Sequence, residues 1–144
     1  MIPKVNLSLP KLIVIGVLIV GSGGLAYQQL AAKTSGPSLL VPAYFSTQAQ
    51  SGKLAYDANC AQCHGVNGAG TDKGPPFVHP IYNPGHHGDA AFFYAAHSGV
   101  KQHHWKFGDM PAQPQVKDED LAAIIAYVRE VQVANGIVFQ EHKM

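Results

Sequence analysis

Two thiols and an imidazole stand within five residues, Cys60-Ala61-Gln62-Cys63-His64. C-x-x-C-H is the attachment signature of a c-type haem. The spacing has a chemical reason. Thiols that add across the two vinyl groups of a porphyrin must sit about one helical turn apart. A histidine directly after the second thiol then falls under the iron and offers an axial nitrogen. The chain has no other cysteine, so neither thiol is left for a disulfide. Two other chemistries compete. A redox dithiol is expected near a βαβ pattern, and none surrounds this motif. A zinc site needs further ligands at short spacing, which the histidine pairs downstream could supply. Three fixed residues in order favour the haem.

A second axial ligand is available at Gly108-Asp109-Met110-Pro111. Met1 and Met144 are the chain ends, so Met110 is the only internal methionine. Ligation by His and Met raises the potential of haem iron and suits electron transfer. A lone methionine more often fills a core. The proline that follows, and a place between two helical segments, favour the ligand reading. His64 and Met110 are the expected metal ligands.

The other histidines are His79, His86, His87, His97, His103, His104 and His142. The adjacent pairs His86-His87 and His103-His104 have two functional readings. They could bind copper or zinc, or one of them could replace Met110 on iron. The plain reading is solvated loop histidines, one of them bonding a haem propionate. Two adjacent side chains in a helix or strand do not easily reach one metal. Tyr82 and Trp105 could reach a propionate through O–H or N–H, or simply cover the haem edge.

The elements that position these groups are helical. Ser46 or Thr47 can cap a first helix running to about Asn59. Asp89 can cap a short helix that Gly99 stops, and Asp118 can cap a last helix ending before Asn135-Gly136. In the last helix Leu121, Ile124, Ile125 and Val128 follow the spacing of one buried face. No strand alternates convincingly. We therefore expect an all-α haem domain over 47–144, with long loops and a core completed by the haem.

The first 32 residues differ in kind. LIVIGVLIVGSGGLAYQQLAA carries no charge and would be about 31 Å long as a helix, just enough to span a hydrocarbon core. Gly21, Gly23, Gly24, Gln28 and Gln29 weaken it. A cleaved secretory signal is the competing reading, with cleavage after Ala26 or Ala32. The stretch is long for a signal, so 1–32 is expected to be an N-terminal transmembrane anchor. Lys4 and Lys11 precede it without an acidic residue, which keeps that end cytoplasmic and exports the rest. Residues 33–46 hold Gly36, Pro37 and Pro42 and read as a linker, unless Leu39, Leu40 and Val41 pack on the domain.

From about residue 47 onward the chain resembles a small mono-haem class I cytochrome c. The motifs fall in family order: a helix with Gly52 and Tyr56 leading into CAQCH, then Gly74-Pro75-Pro76-Phe77, then GDMP, then a helix with Tyr127. The resemblance implies one covalent haem c. It implies that the Pro75 carbonyl accepts the Nδ1 proton of His64, and that Gly52 and Tyr127 mark a helix crossing. It also implies haem attachment outside the cytoplasm, which agrees with the charge rule. The expected location is a bacterial inner membrane, the haem domain in the periplasm; cleavage would leave it soluble there. The histidine-rich stretch from His79 to His104 departs from the family pattern.

Charge narrows the partners. The whole chain carries a net charge of +1, and 47–144 holds seven bases against nine acids, or −2. No basic surface invites nucleic acid. Three function classes follow. An electron carrier between membrane-bound redox complexes or other cytochromes comes first. A haem subunit of a larger oxidoreductase, or a haem sensor, comes second. A copper-handling protein that uses the histidine pairs comes third.

Overall fold

The protein is described by a computed structural model over residues 39–141. The expected anchor over 1–32, residues 33–38 of the expected linker, and His142 lie outside the described residues. Among the described residues no helix is long and apolar enough to cross a membrane.

Among the described residues four α-helices carry the fold: α1 (Thr47–Asn59), α2 (Ala61–His64), α3 (Asp89–Ser98) and α4 (Asp118–Ala134). Ser46 starts α1, its side chain accepting the Ala49 N–H at 3.2 Å, as a serine cap does. The buried stripe Ala49, Gly52, Tyr56 crosses α4 at Gly52, where a Cβ would overlap the Ala123 carbonyl. In α4, Leu121, Ile124, Ile125, Val128 and Val131 are all buried, each worth about 1.5–3 kcal/mol of transfer free energy. Asp118, Glu119 and Asp120 occupy its first turn and suit its dipole.

Two caps differ from expectation. Gly88 and Lys117 are the N-caps of α3 and α4, and neither bonds the helix through a side chain. Asp89 and Asp118 stand one position further in, where their carboxylates have other partners. Asp89 accepts from Arg129 Nε at 2.8 Å, and Asp118 meets His97 at 2.9 Å. Gly99 ends α3 as expected, in the left-handed region at φ 74°.

The described part of the segment 33–46 lies on the domain. Leu39 and Phe45 pack against the core, the Phe45 and Tyr127 rings 5.2 Å apart. Leu40 and Asn135 exchange two hydrogen bonds, at 2.9 Å and 2.7 Å. Leu40 itself stays exposed. The described residues form no strand, only one isolated antiparallel bridge between Val100 and Met110.

Candidate haem site

The CAQCH motif begins where α1 ends. Cys60 is the C-cap of α1 and the N-cap of α2, and α2 places Cys63 and His64 one turn on. The chain then folds tightly beneath the motif. Gly65 has φ 77°, and the Tyr56 hydroxyl donates to its carbonyl at 2.8 Å. Asn67 takes a left-handed conformation at φ 55° and accepts the Tyr127 hydroxyl at 2.7 Å. The next loop returns so closely that a Cβ on Gly74 would stand 2.8 Å from the Cys63 carbonyl oxygen.

That return brings Pro75 to His64. His64 Nδ1 lies 3.0 Å from the Pro75 carbonyl. Only a protonated Nδ1 can make this bond, so the lone pair resides on Nε2. His64 is buried, and burial holds its pKa below the ordinary histidine value against the opposing Pro75 bond. The Phe77 ring stacks on it at 4.1 Å and limits its rotation.

Cys60, Cys63, His64, Pro75 and Met110 all line one cavity of about 620 Å³, a size usual for cofactor sites. Met110 enters from the opposite side of the sequence. Its backbone exchanges two hydrogen bonds of 2.9 Å with Val100. Asp109 beside it accepts from Lys101 Nζ at 2.8 Å and from the Gln102 N–H at 3.1 Å. Phe92 and Ala95 of α3 also face the cavity, while Ala96 is buried in the core and Phe92 and Phe93 pack against it, so the apolar side of that helix serves both.

The residues fit a c-type haem. Thiol pair, imidazole with its lone pair on Nε2, thioether and apolar walls meet in one cleft. The competing chemistries fare less well. Burial, and after it the neighbouring Cys63, pushes the Cys60 thiol up to about 11, whereas redox-active C-x-x-C thiols are depressed to about 7 or lower. Among the described residues no three-ligand group includes either cysteine; the one such group is His86, His87 and His104. No such group joins the thiols to the histidine pairs, which argues against a zinc site shared by both.

His87, His103, His104, Tyr82 and Trp105 line the same cavity. Tyr82 and Trp105 stack at 5.8 Å. Burial pushes the Tyr82 phenol up to about 12, so it stays a donor at neutral pH. Loss of solvent is the first cause that lowers the pKa of both His87 and His104, and neighbouring imidazoles add to it.

Sequence reasoning gave Arg129 no role. From α4 its guanidinium donates to the carbonyls of Tyr82 at 2.8 Å and His87 at 2.6 Å, and to Gln132 Oε1 at 2.7 Å. It also lies over the Phe92 ring at 4.9 Å. Gln132, fully buried, in turn donates to the Phe77 carbonyl at 2.8 Å. The one signal was a single cation amid the apolar face of the last helix. Arg129→Gln should cost about 1–3 kcal/mol, the worth of hydrogen bonds to a charged group, read from the denaturant midpoint of the haem-loaded protein. Asp89→Asn, at an exposed carboxylate, should cost less than about 1 kcal/mol. Equal losses would show that the carbonyl bonds contribute nothing.

Comparison with known proteins agrees with this geometry. An alignment 96 positions long, covering 60% of this chain, is 33% identical to "Cytochrome c oxidase subunit 2" of Alkalihalophilus pseudofirmus, and it spans only 27% of that relative's length. No solved structure matches significantly. The profile of the family described as Cytochrome c matches residues 49–132, more than half of the chain and all of the cleft's thiols, imidazole and thioether. The chain therefore belongs to the cytochrome c family, and membership implies a covalently bound haem c and haem-based electron transfer.

Proposed function

We propose that the chain is a one-electron carrier whose single haem c has its iron held by His64 and Met110. The observation that carries this reading is that His64, its Nε2 lone pair set by the Pro75 bond, and Met110, braced by Val100, line one cavity with both thiols. When bound, the haem supplies a reversible Fe(III)/Fe(II) couple. The protein residues do the rest. Cys60 and Cys63 hold the group, Pro75 and Phe77 keep the imidazole from turning, and the Val100 bridge keeps Met110 from leaving. A carrier needs such closure, because an open position would admit water or substrate.

Met110→Ala tests the assignment. The oxidised protein should lose the weak far-red absorption of Fe(III)–Met ligation and become high-spin or ligand-exchanged. Its potential should fall by on the order of 100 mV, well inside the roughly 0.8 V that axial ligands command. An unchanged spectrum and potential would reject Met110 and promote His103 or His104.

The expected partners are membrane-bound redox complexes or other cytochromes. The proposed location is the periplasmic side of a bacterial inner membrane, with residues 1–32 as a single-pass tether. A tether raises the effective concentration at membrane partners. A mature N-terminus after Ala26 or Ala32 would instead mean a soluble periplasmic carrier. The likeness to a cytochrome c oxidase subunit 2 favours a second reading, a haem subunit of a larger oxidoreductase. Co-migration of the haem with oxidase activity on a native gel of solubilised membranes would select it.

A further inference from the structure

We infer that His86, His87 and His104 form a second metal site, for a divalent transition-metal ion of the copper(II) or zinc(II) class. One ring nitrogen from each lies within 4.8 Å of the others. The two Nε2 atoms of His86 and His104 are 3.4 Å apart. That is long for an N–H hydrogen bond, usually about 2.7–3.2 Å. It matches the edge of a tetrahedral site, which metal–nitrogen bonds of about 2.0–2.1 Å make about 3.3 Å.

A turn overcomes the difficulty of adjacent ligands. The N–H groups of His86 and His87 both donate to the Asn83 carbonyl, at 3.0 Å and 2.9 Å. The chain coils there, and the two rings come to one side with centroids 4.6 Å apart. A helix or strand would splay them. His104 comes from the loop after α3, its ring 5.2 Å from that of His87.

The site is oriented from behind. His87 Nδ1 lies 2.8 Å from the Ile81 carbonyl, so it is the protonated nitrogen and Nε2 is the ligand atom. A backbone carbonyl on the far ring nitrogen is the usual companion of a metal-bound imidazole. The His87 carbonyl is in turn held by Arg129 Nη2 at 2.6 Å. The turn is thus fixed to the last helix before any ion arrives. Three imidazoles with no carboxylate or thiolate suit zinc or copper rather than magnesium or calcium, and copper(II) should bind more tightly. Three ligands leave a fourth position for water.

The inference rests on the proposed axial pair in one respect. His104, which lines the haem cavity with His87, is left to the second ion only while Met110 holds the iron. A haem spectrum altered in His104→Gln would mark failure of that pair rather than of the site. The test uses the haem-loaded full-length protein with copper(II) alone and zinc(II) alone. After desalting, one ion per haem should remain, counted by elemental analysis. The copper form should show nitrogen splitting in its paramagnetic resonance spectrum. Affinity, measured by competition with a chromophoric chelator, should fall at least tenfold in His104→Gln and in His86→Gln. It should be unchanged in His97→Gln, which removes an exposed histidine outside the group. An unaltered haem spectrum in each variant shows that the fold persists. A variant that fails this check is set aside, and the other one decides. Retention of no ion by the wild type, or equal weakening by His97→Gln, would overturn the site.

Discussion

The double variant Cys60→Ala, Cys63→Ala should retain no haem after acid–acetone extraction. Each single variant should keep one thioether and an intermediate yield. The loss should extend to the fold. The cavity between α3, the motif and the Met110 loop measures about 620 Å³. Without the haem the apolar walls of this open cleft, Phe77, Phe92 and Ala95 among them, would face water instead of the porphyrin. They would forfeit about 25 cal/mol per Å² of apolar surface left exposed, a serious loss for a domain whose whole stability is about 5–15 kcal/mol. The expected readout is a thermal scan by circular dichroism without the cooperative transition of the wild type. Haem that survives extraction from the double variant would refute covalent attachment. A sharp transition without haem would refute the argument that the haem completes the core.

The helices were legible in the sequence because their signals are local. Ser46 caps, Gly99 stops, and Leu121, Ile124, Ile125 and Val128 repeat on one face. The caps at Asp89 and Asp118 were misread for a tertiary reason. Sequence shows that an aspartate precedes an apolar run, but not that Arg129 or His97 will claim its carboxylate. The thiols and His64 were legible because covalent chemistry fixes their spacing. Met110 was marked as a candidate by its type, the proline after it and its place between helices, but its support, the Val100 bridge, pairs positions ten residues apart with no strand pattern to mark them.

The histidine group was half legible. The pairs stand out in the sequence, but which rings meet depends on the turn at Asn83 and on Arg129 more than forty residues away. His103 and His104 look equivalent on paper. In the fold His103 Nδ1 turns back to the Lys101 carbonyl at 2.8 Å, while His104 faces His86. Gln132 stands on the buried face of α4, four residues after Val128, but its polar type hid the bond it makes to the Phe77 carbonyl, and Phe77 lies in a loop that has no period.

Gly52→Ala should destabilise the haem-loaded protein by about 2–3 kcal/mol, a fall of roughly 10–20 °C in Tm for a domain near 100 residues. Two effects oppose each other here. In a helix interior alanine is better than glycine by about 0.5–1 kcal/mol. Against that, a methyl group at position 52 would overlap the Ala123 carbonyl, with the carbonyl carbon and the Ile124 nitrogen close behind. All three are backbone atoms of α4, so no rotamer change can yield. The helices must separate, and overpacking of a rigid contact costs about 1–3 kcal/mol or more. Here the separation also strains the contacts on either side of it, the buried Ala49 and Tyr56, so the clash outweighs the propensity gain. The damage should reach the cofactor, because α1 runs directly into Cys60 and the Tyr56 hydroxyl holds the Gly65 carbonyl. Haem yield per chain should therefore fall together with Tm. Ser51→Ala, at the exposed neighbouring position, should change Tm by no more than a few degrees. If Gly52→Ala instead raises Tm, helix propensity has won, and α1 and α4 do not approach as closely as the crossing requires.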